Sequence, residues 1–149
     1  MLGLYEYFMF KAIKLAKKAS FIDEVPVGAI IVKNEKVVSA GFNKKETKKS
    51  ALFHAEIECI YQASKLLETW RLSDCDIYVT LEPCLMCMGA LVNARIRKII
   101  FGAPDYLNGA CVSNTLSFKY SYTPLIIGGI LSEKCSRLLK NFFKNLREK

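Results

Sequence analysis

Asp76-Ile77-Tyr78-Val79-Thr80-Leu81-Glu82-Pro83-Cys84-Leu85-Met86-Cys87-Met88-Gly89-Ala90 is the stretch on which the fold turns. Asp76 to Leu81 is short, β-branched and largely apolar, the pattern of a strand buried on both faces. Pro83 stops that strand and suits the first turn of a helix, where its fixed φ is helpful and its missing N–H is not needed. The helix runs on to about Ala94.

Working outward, Lys98 to Ala103 is a second apolar strand and Pro124 to Ile127 a short last one. Residues 104–122 between them are polar, aromatic and irregular. Upstream, Val27 to Val32, the turn Asn34-Glu35-Lys36 and Lys36 to Ala40 predict a β-hairpin. Leu4, Phe8, Ala12, Leu15, Ala16 and Ala19 recur at helical spacing over residues 3–19, and Pro26 and Gly28 end that helix. The basic loop 44–50 leads to Ser50, a suitable cap for a helix reaching Leu67. Leu131, Cys135, Leu138, Leu139, Phe142 and Leu146 form a helical stripe at the C-terminus. A hairpin followed by alternating helices and strands predicts a mixed α/β sheet covered on both faces.

The 149 residues suit one domain spanning 1–149, with a core large enough to need no disulfide staples. A hydrophobic content of 52% excludes intrinsic disorder. No apolar run approaches the ~20 residues of a membrane span. The N-terminal lysines follow the apolar patch, the reverse of a secretory signal, so a cytoplasmic protein is expected. The formal charge of +8 suits a polyanion such as nucleic acid, or merely a basic surface. Six cysteines without a signal favour free thiols and a metal site over a disulfide framework.

The only histidine lies in His54-Ala55-Glu56, and a Cys-x-x-Cys follows at Cys84 and Cys87. Taken singly, such a histidine is more often structural, and such a cysteine pair serves redox chemistry, zinc binding or neither. Together they supply one imidazole, two thiolates and one carboxylate. Three protein ligands with a fourth position open is the catalytic pattern for Zn²⁺. A closed structural site would draw a fourth ligand from Cys59, Cys75, Cys111 or Cys135, although apolar neighbours point those towards the core. Cys84 and Cys87 share a helix face in a first turn, where the dipole favours thiolate. His54 and Glu56 converge with them if the metal lies beyond the helix N-terminus. Two thiolates cancel the metal's charge and leave Glu56 free to move protons. With water activated near pH ~7, the set fits hydrolytic deamination of an amidine-like carbon, as in cytosine or adenine. A zinc-stabilised RNA-binding module without catalysis uses the same residues.

His-x-Glu followed by Pro-Cys-x-x-Cys resembles the zinc-dependent nucleoside and nucleobase deaminases. Glu24-Val25-Pro26-Val27-Gly28-Ala29, Gly41-Phe42-Asn43, Arg71-Leu72, the run Tyr78 to Ala90, and Phe101-Gly102-Ala103 are similar to the bacterial tRNA-specific adenosine deaminases, a resemblance spanning residues 5–147. It implies a cytidine deaminase-like, three-layer α/β/α sandwich with a mixed five-stranded sheet. It also implies a homodimer with one Zn²⁺ per subunit that converts the wobble adenosine of a tRNA anticodon stem-loop to inosine. On that resemblance His54, Cys84 and Cys87 are zinc ligands and Glu56 the proton shuttle. Asn43 and the Ala55 backbone hold the base, and Val27 and Leu81 wall the pocket. Asp105 meets sugar hydroxyls, Phe143 lies near a flanking nucleotide, and Lys144, Arg147 and Lys149 reach phosphates. The chain departs from the family at Ser50-Ala51-Leu52-Phe53, where Asp-Pro-Thr-Ala is usual, and at Pro104 and Leu107, places often basic. A small-molecule guanine or cytosine deaminase with the same zinc chemistry is the alternative.

Overall fold

The computed structural model describes residues 3–114 and 121–149. Part of the stretch expected to be irregular, 115–120, lies outside the described residues.

The first helix, α1, spans Leu4–Phe21 and buries Phe8, Met9, Ala12, Ile13, Ala16 and Ala19. Strands β1 (Gly28–Lys33) and β2 (Lys36–Phe42) pair antiparallel as the expected hairpin. Its two-residue loop puts Asn34 and Glu35 at φ 50 and 59, the left-handed pair that matches the twist of the strands. Then come α2 (Ala55–Leu67), β3 (Cys75–Leu81), α3 (Leu85–Asn93), β4 (Lys98–Ala103), β5 (Leu125–Ile127) and α4 (Ser132–Arg147).

The five strands are ordered β2-β1-β3-β4-β5. The hairpin strand β1 runs antiparallel to β3, whereas β3, β4 and β5 are parallel, so the sheet is mixed as expected. Side chains alternate along the central strands. Ile31, Ile77, Val79, Ile99 and Phe101 pack in one cluster with Ala55, Cys59 and Ala63 of α2 and Met88, Leu91 and Val92 of α3. Ile30, Val32, Tyr78 and Ile100 pack in the other with α1 and Cys135 of α4. That period of two places helices on both faces and makes the three layers. At Gly28 a Cβ would collide with the backbone of Ala12 and Ala16, so glycine lets α1 lie directly on β1.

Three local expectations change. Ser50 does not cap α2. Residues 50–53 curl into a turn in which Phe53 N donates to Ser50 O (3.2 Å) and Leu52 N to Ser50 Oγ (3.3 Å). The helix starts later, behind His54. Cys84 is the extended cap of α3 rather than a residue of its first turn, so Pro83 precedes the helix. The stripe on α4 is buried only at Cys135, and Leu146 stays exposed. No helix among the described residues is long and apolar enough to cross a membrane.

Candidate active site

Two helix N-termini meet at one end of the sheet. His54 caps α2 and Cys84 caps α3, both with extended backbone and neither with a side-chain capping bond. Their side chains turn to one another instead. His54 Nδ1 lies 3.6 Å from Cys84 Sγ and 3.5 Å from Cys87 Sγ, and the ligand atoms of the three residues lie within 4.8 Å of one another. Among the described residues no fourth His, Cys, Asp or Glu joins this group. The other thiols are engaged elsewhere: Cys59 donates to Ala29 O at 3.2 Å, Cys75 to Asp74, and Cys111 meets the Met88 sulfur. Cys135 packs under Gly102.

The electrostatics separate the members. The hydrogen bond from Cys87, helped by His54 and opposed by burial, pulls the Cys84 thiol down to about 4. Its bond to Cys84, together with burial, pushes Cys87 up. Cys84 in turn raises His54. Glu56, in the first turn of α2, is 3% exposed, and burial lifts it above the usual carboxylate range. One imidazole nitrogen beside two sulfurs is a donor set that suits Zn²⁺ and can hold a metal ion.

A cavity of about 510 Å³ opens over this group. Val27, Asn43, Ala55, Leu81 and Asp105 line it together with His54, Glu56 and Cys84, while Cys87 is fully buried. Asn43 is braced: its Nδ2 donates to Val25 O (3.3 Å) and its Oδ1 accepts from Lys45 N (3.1 Å). Asp105 Oδ1 accepts the N–H groups of Leu107 and Asn108, which ties its own loop. Phe143 does not line the cavity; it sits on α4, 41% exposed, edge-on to Phe142.

Sequence reasoning gave no role to Glu24 and Glu82, both almost fully buried beside the cavity. Glu24 accepts from Glu46 N (3.0 Å) and Thr47 N (2.6 Å), holding the basic loop. Glu82 accepts from the N–H groups of Asp105, Cys111, Val112 and Ser113 and from the Ser113 hydroxyl. The signal that could have found Glu82 is a carboxylate set between a buried strand and a proline, with no cation beside it. Lys45 and Asn108 also line the cavity.

The MafB19-like deaminase family matches residues 5–147. The tRNA-specific adenosine deaminase of Bacillus subtilis (strain 168) is 40% identical over 148 residues, covering 97% of this chain and 91% of its own. A solved structure from studies of A-to-I editing by tRNA:A34 deaminases at the wobble position of transfer RNA has a TM-score of 0.85 at 34% identity, covering 89% of this chain and 99% of that one. The guanine deaminase of Nitrosomonas europaea has a TM-score of 0.79 at 20% identity over 92% of this chain and 83% of its own, a likeness of fold. With its sheet, its His54, Cys84 and Cys87 group and these near end-to-end matches, the chain belongs to the MafB19-like deaminases, in the same family as the tRNA-specific adenosine deaminases.

Proposed function

We propose that this protein hydrolyses the exocyclic amino group of the wobble adenosine in a tRNA anticodon, consuming water and leaving inosine and ammonia. The observation that carries this reading is the meeting of His54, Cys84 and Cys87 with buried Glu56 at the floor of one cavity large enough for a nucleobase.

His54 Nδ1 and the sulfurs of Cys84 and Cys87 would hold one Zn²⁺ per subunit. When bound, the metal supplies the Lewis acidity that makes water nucleophilic near neutral pH. Glu56 is the proton carrier. It takes a proton from the attacking water and delivers it to the purine ring nitrogen beside the reacting carbon, then takes the remaining proton of the added hydroxyl and passes it to the departing amine. Its burial suits both roles, because a carboxyl lifted above its usual range gives up and takes back a proton more evenly.

Val27 and Leu81 give the base apolar walls, and the Asn43 amide and Ala55 backbone take its polar edge. Asp105 meets the sugar hydroxyls. On α4, Phe143 lies near a flanking nucleotide, and Lys144 and Arg147, with Lys149 just past the helix end, reach phosphates. The net charge of +8 favours such a polyanion. An anticodon loop also lowers the cost of drawing a base out of its stack. A cytoplasmic homodimer completes the reading. Exposed Tyr61 and Leu66 of α2 and Leu85 of α3 offer apolar surface that a second copy can cover.

The test is inosine formation by the metal-loaded protein on an anticodon stem-loop bearing adenosine at the wobble position, with free guanine and cytosine in parallel. Inosine from the stem-loop is expected. Ammonia from the free bases without inosine would overturn the assignment.

A further inference from the structure

The two rims of the cavity carry different chemistry. One is the 44–49 loop, which holds Lys44, Lys45, Lys48 and Lys49; Lys44 is paired with Glu58 at 2.6 Å and Lys45 lines the cavity. The other is residues 104–114, which contain no Lys or Arg and one Asp. In a chain of charge +8, this second rim has no group able to neutralise a phosphate.

At its tip are Tyr106 and Leu107, 81% and 83% exposed. They stand directly between Asp105 and Asn108, both of which line the cavity. Exposed apolar tips are commonly loose, but this one is braced at every turn. Glu82 binds the N–H groups at Asp105, Cys111, Val112 and Ser113. Asp105 Oδ1 binds those of Leu107 and Asn108. Asn114 Nδ2 reaches the carbonyls of Tyr106, Leu107 and Gly109 at 3.1, 3.3 and 3.0 Å. Gly109 has no room for a Cβ against the Glu82 carboxyl, so the loop closes tightly there. The backbone entropy of the tip is therefore spent on folding, and a contact made by Tyr106 need only order its side chain.

We propose that Tyr106 is a stacking platform for the nucleobase next to the target adenosine, with Leu107 extending the apolar surface. This deepens the tRNA reading and rests on it. A base drawn into the cavity leaves its neighbour with one face uncovered. An aromatic ring held at the rim covers that face, and any base can use it, because stacking depends on the π-face and not on hydrogen-bond pattern. The two rims then divide the recognition: lysines on one side meet phosphates, and Tyr106 on the other meets a base.

The experiment compares wild type, Tyr106→Ala and Tyr106→Phe in the intact protein. Each acts on the wobble-adenosine stem-loop and on two stem-loops with an abasic site immediately before or after the target. Tyr106→Ala is expected to raise KM roughly 5- to 150-fold, the range set by base–aromatic stacking, with kcat little changed. Tyr106→Phe restores it. The penalty keeps its size as salt is raised, unlike that of a lost phosphate contact. On one abasic stem-loop, wild type and Tyr106→Ala become equal. An unchanged KM, or an equal penalty on the intact and both abasic stem-loops, overturns the proposal. So does a loss explained by altered oligomeric state in sedimentation, which would make a second copy the occupant. Wild type that edits the intact stem-loop but ignores Tyr106 refutes this inference alone. Wild type that edits none refutes the adenosine reading and this inference with it.

Discussion

Glu56 at the start of α2 and Glu82 just past the end of β3 line the same cavity and are both hidden from solvent, 3% and 2% exposed, yet their acidities move apart. Burial lifts Glu56, and the Cys84 thiolate adds to the lift. Burial would lift Glu82 too, but the Ser113 side chain and the N–H groups of Ser113, Val112 and Asp105 outweigh it and hold the carboxyl below its usual range. What a hidden carboxylate does depends on how tightly it is enclosed and on how many donors are aimed at it. Glu56 is left able to carry protons. Glu82, with its acidity held below the usual range, instead holds one rim of the cavity. Glu24 repeats the second case at the other rim, where hydrogen bonds from Thr47 and Glu46 overcome its burial.

The contrast breaks most sharply at Glu56. Glu56→Gln should lower kcat by at least ~10²–10⁴-fold, the range for losing an acid–base group, with metal content unchanged by elemental analysis. A loss of less than about tenfold would place Glu56 with Glu82 as a purely structural carboxylate. Cys84→Ser removes the thiolate that acts on Glu56. It should strip the metal and lower stability together, because ligation and folding are coupled. Full metal retention would show that Cys84 is no ligand.

Glu82→Gln should cost about 1.5–3 kcal/mol in urea unfolding, as expected for hydrogen bonds to a buried charge, while lowering kcat far less than Glu56→Gln. Unchanged stability would erase the distinction between the two residues. The smallest effect is the pH dependence at Glu24. Its folded acidity lies below the ordinary value of ~4.3, so the stability it contributes is present above that value. It is lost as pH falls through the lower folded value. The deficit of Glu24→Gln should therefore be largest at neutral pH and shrink near pH ~3. Equal deficits at both pH values would mean that the charge on Glu24 does not hold the basic loop.

Much of this molecule is written locally. The β-branched run at Val27 to Val32, the Asn34–Glu35 turn and the strand ended by Pro83 each carry their own signal, and each element lies within a few residues of its expected place. The His-x-Glu and Pro-Cys-x-x-Cys spacings likewise name their chemistry, because few functions need those groups together. The cap of α2 was misplaced because Ser50 has the better local propensity. His54 takes the position while its ring turns away to sulfurs 30 and 33 residues distant.

Residue order alone was enough to point to the layers, to the grouping of His54, Cys84 and Cys87 and to the excess of positive charge, since periodicity and spacing are properties of neighbours along the chain. It was not enough to tell Glu56 from Glu82. The donors that hold Glu82 arrive from 23 to 31 residues away, and a carboxylate's acidity depends on what surrounds it in space. Nor could it reveal that Tyr106 stands exposed on a braced loop beside the cavity, because exposure and bracing arise only once distant segments have packed.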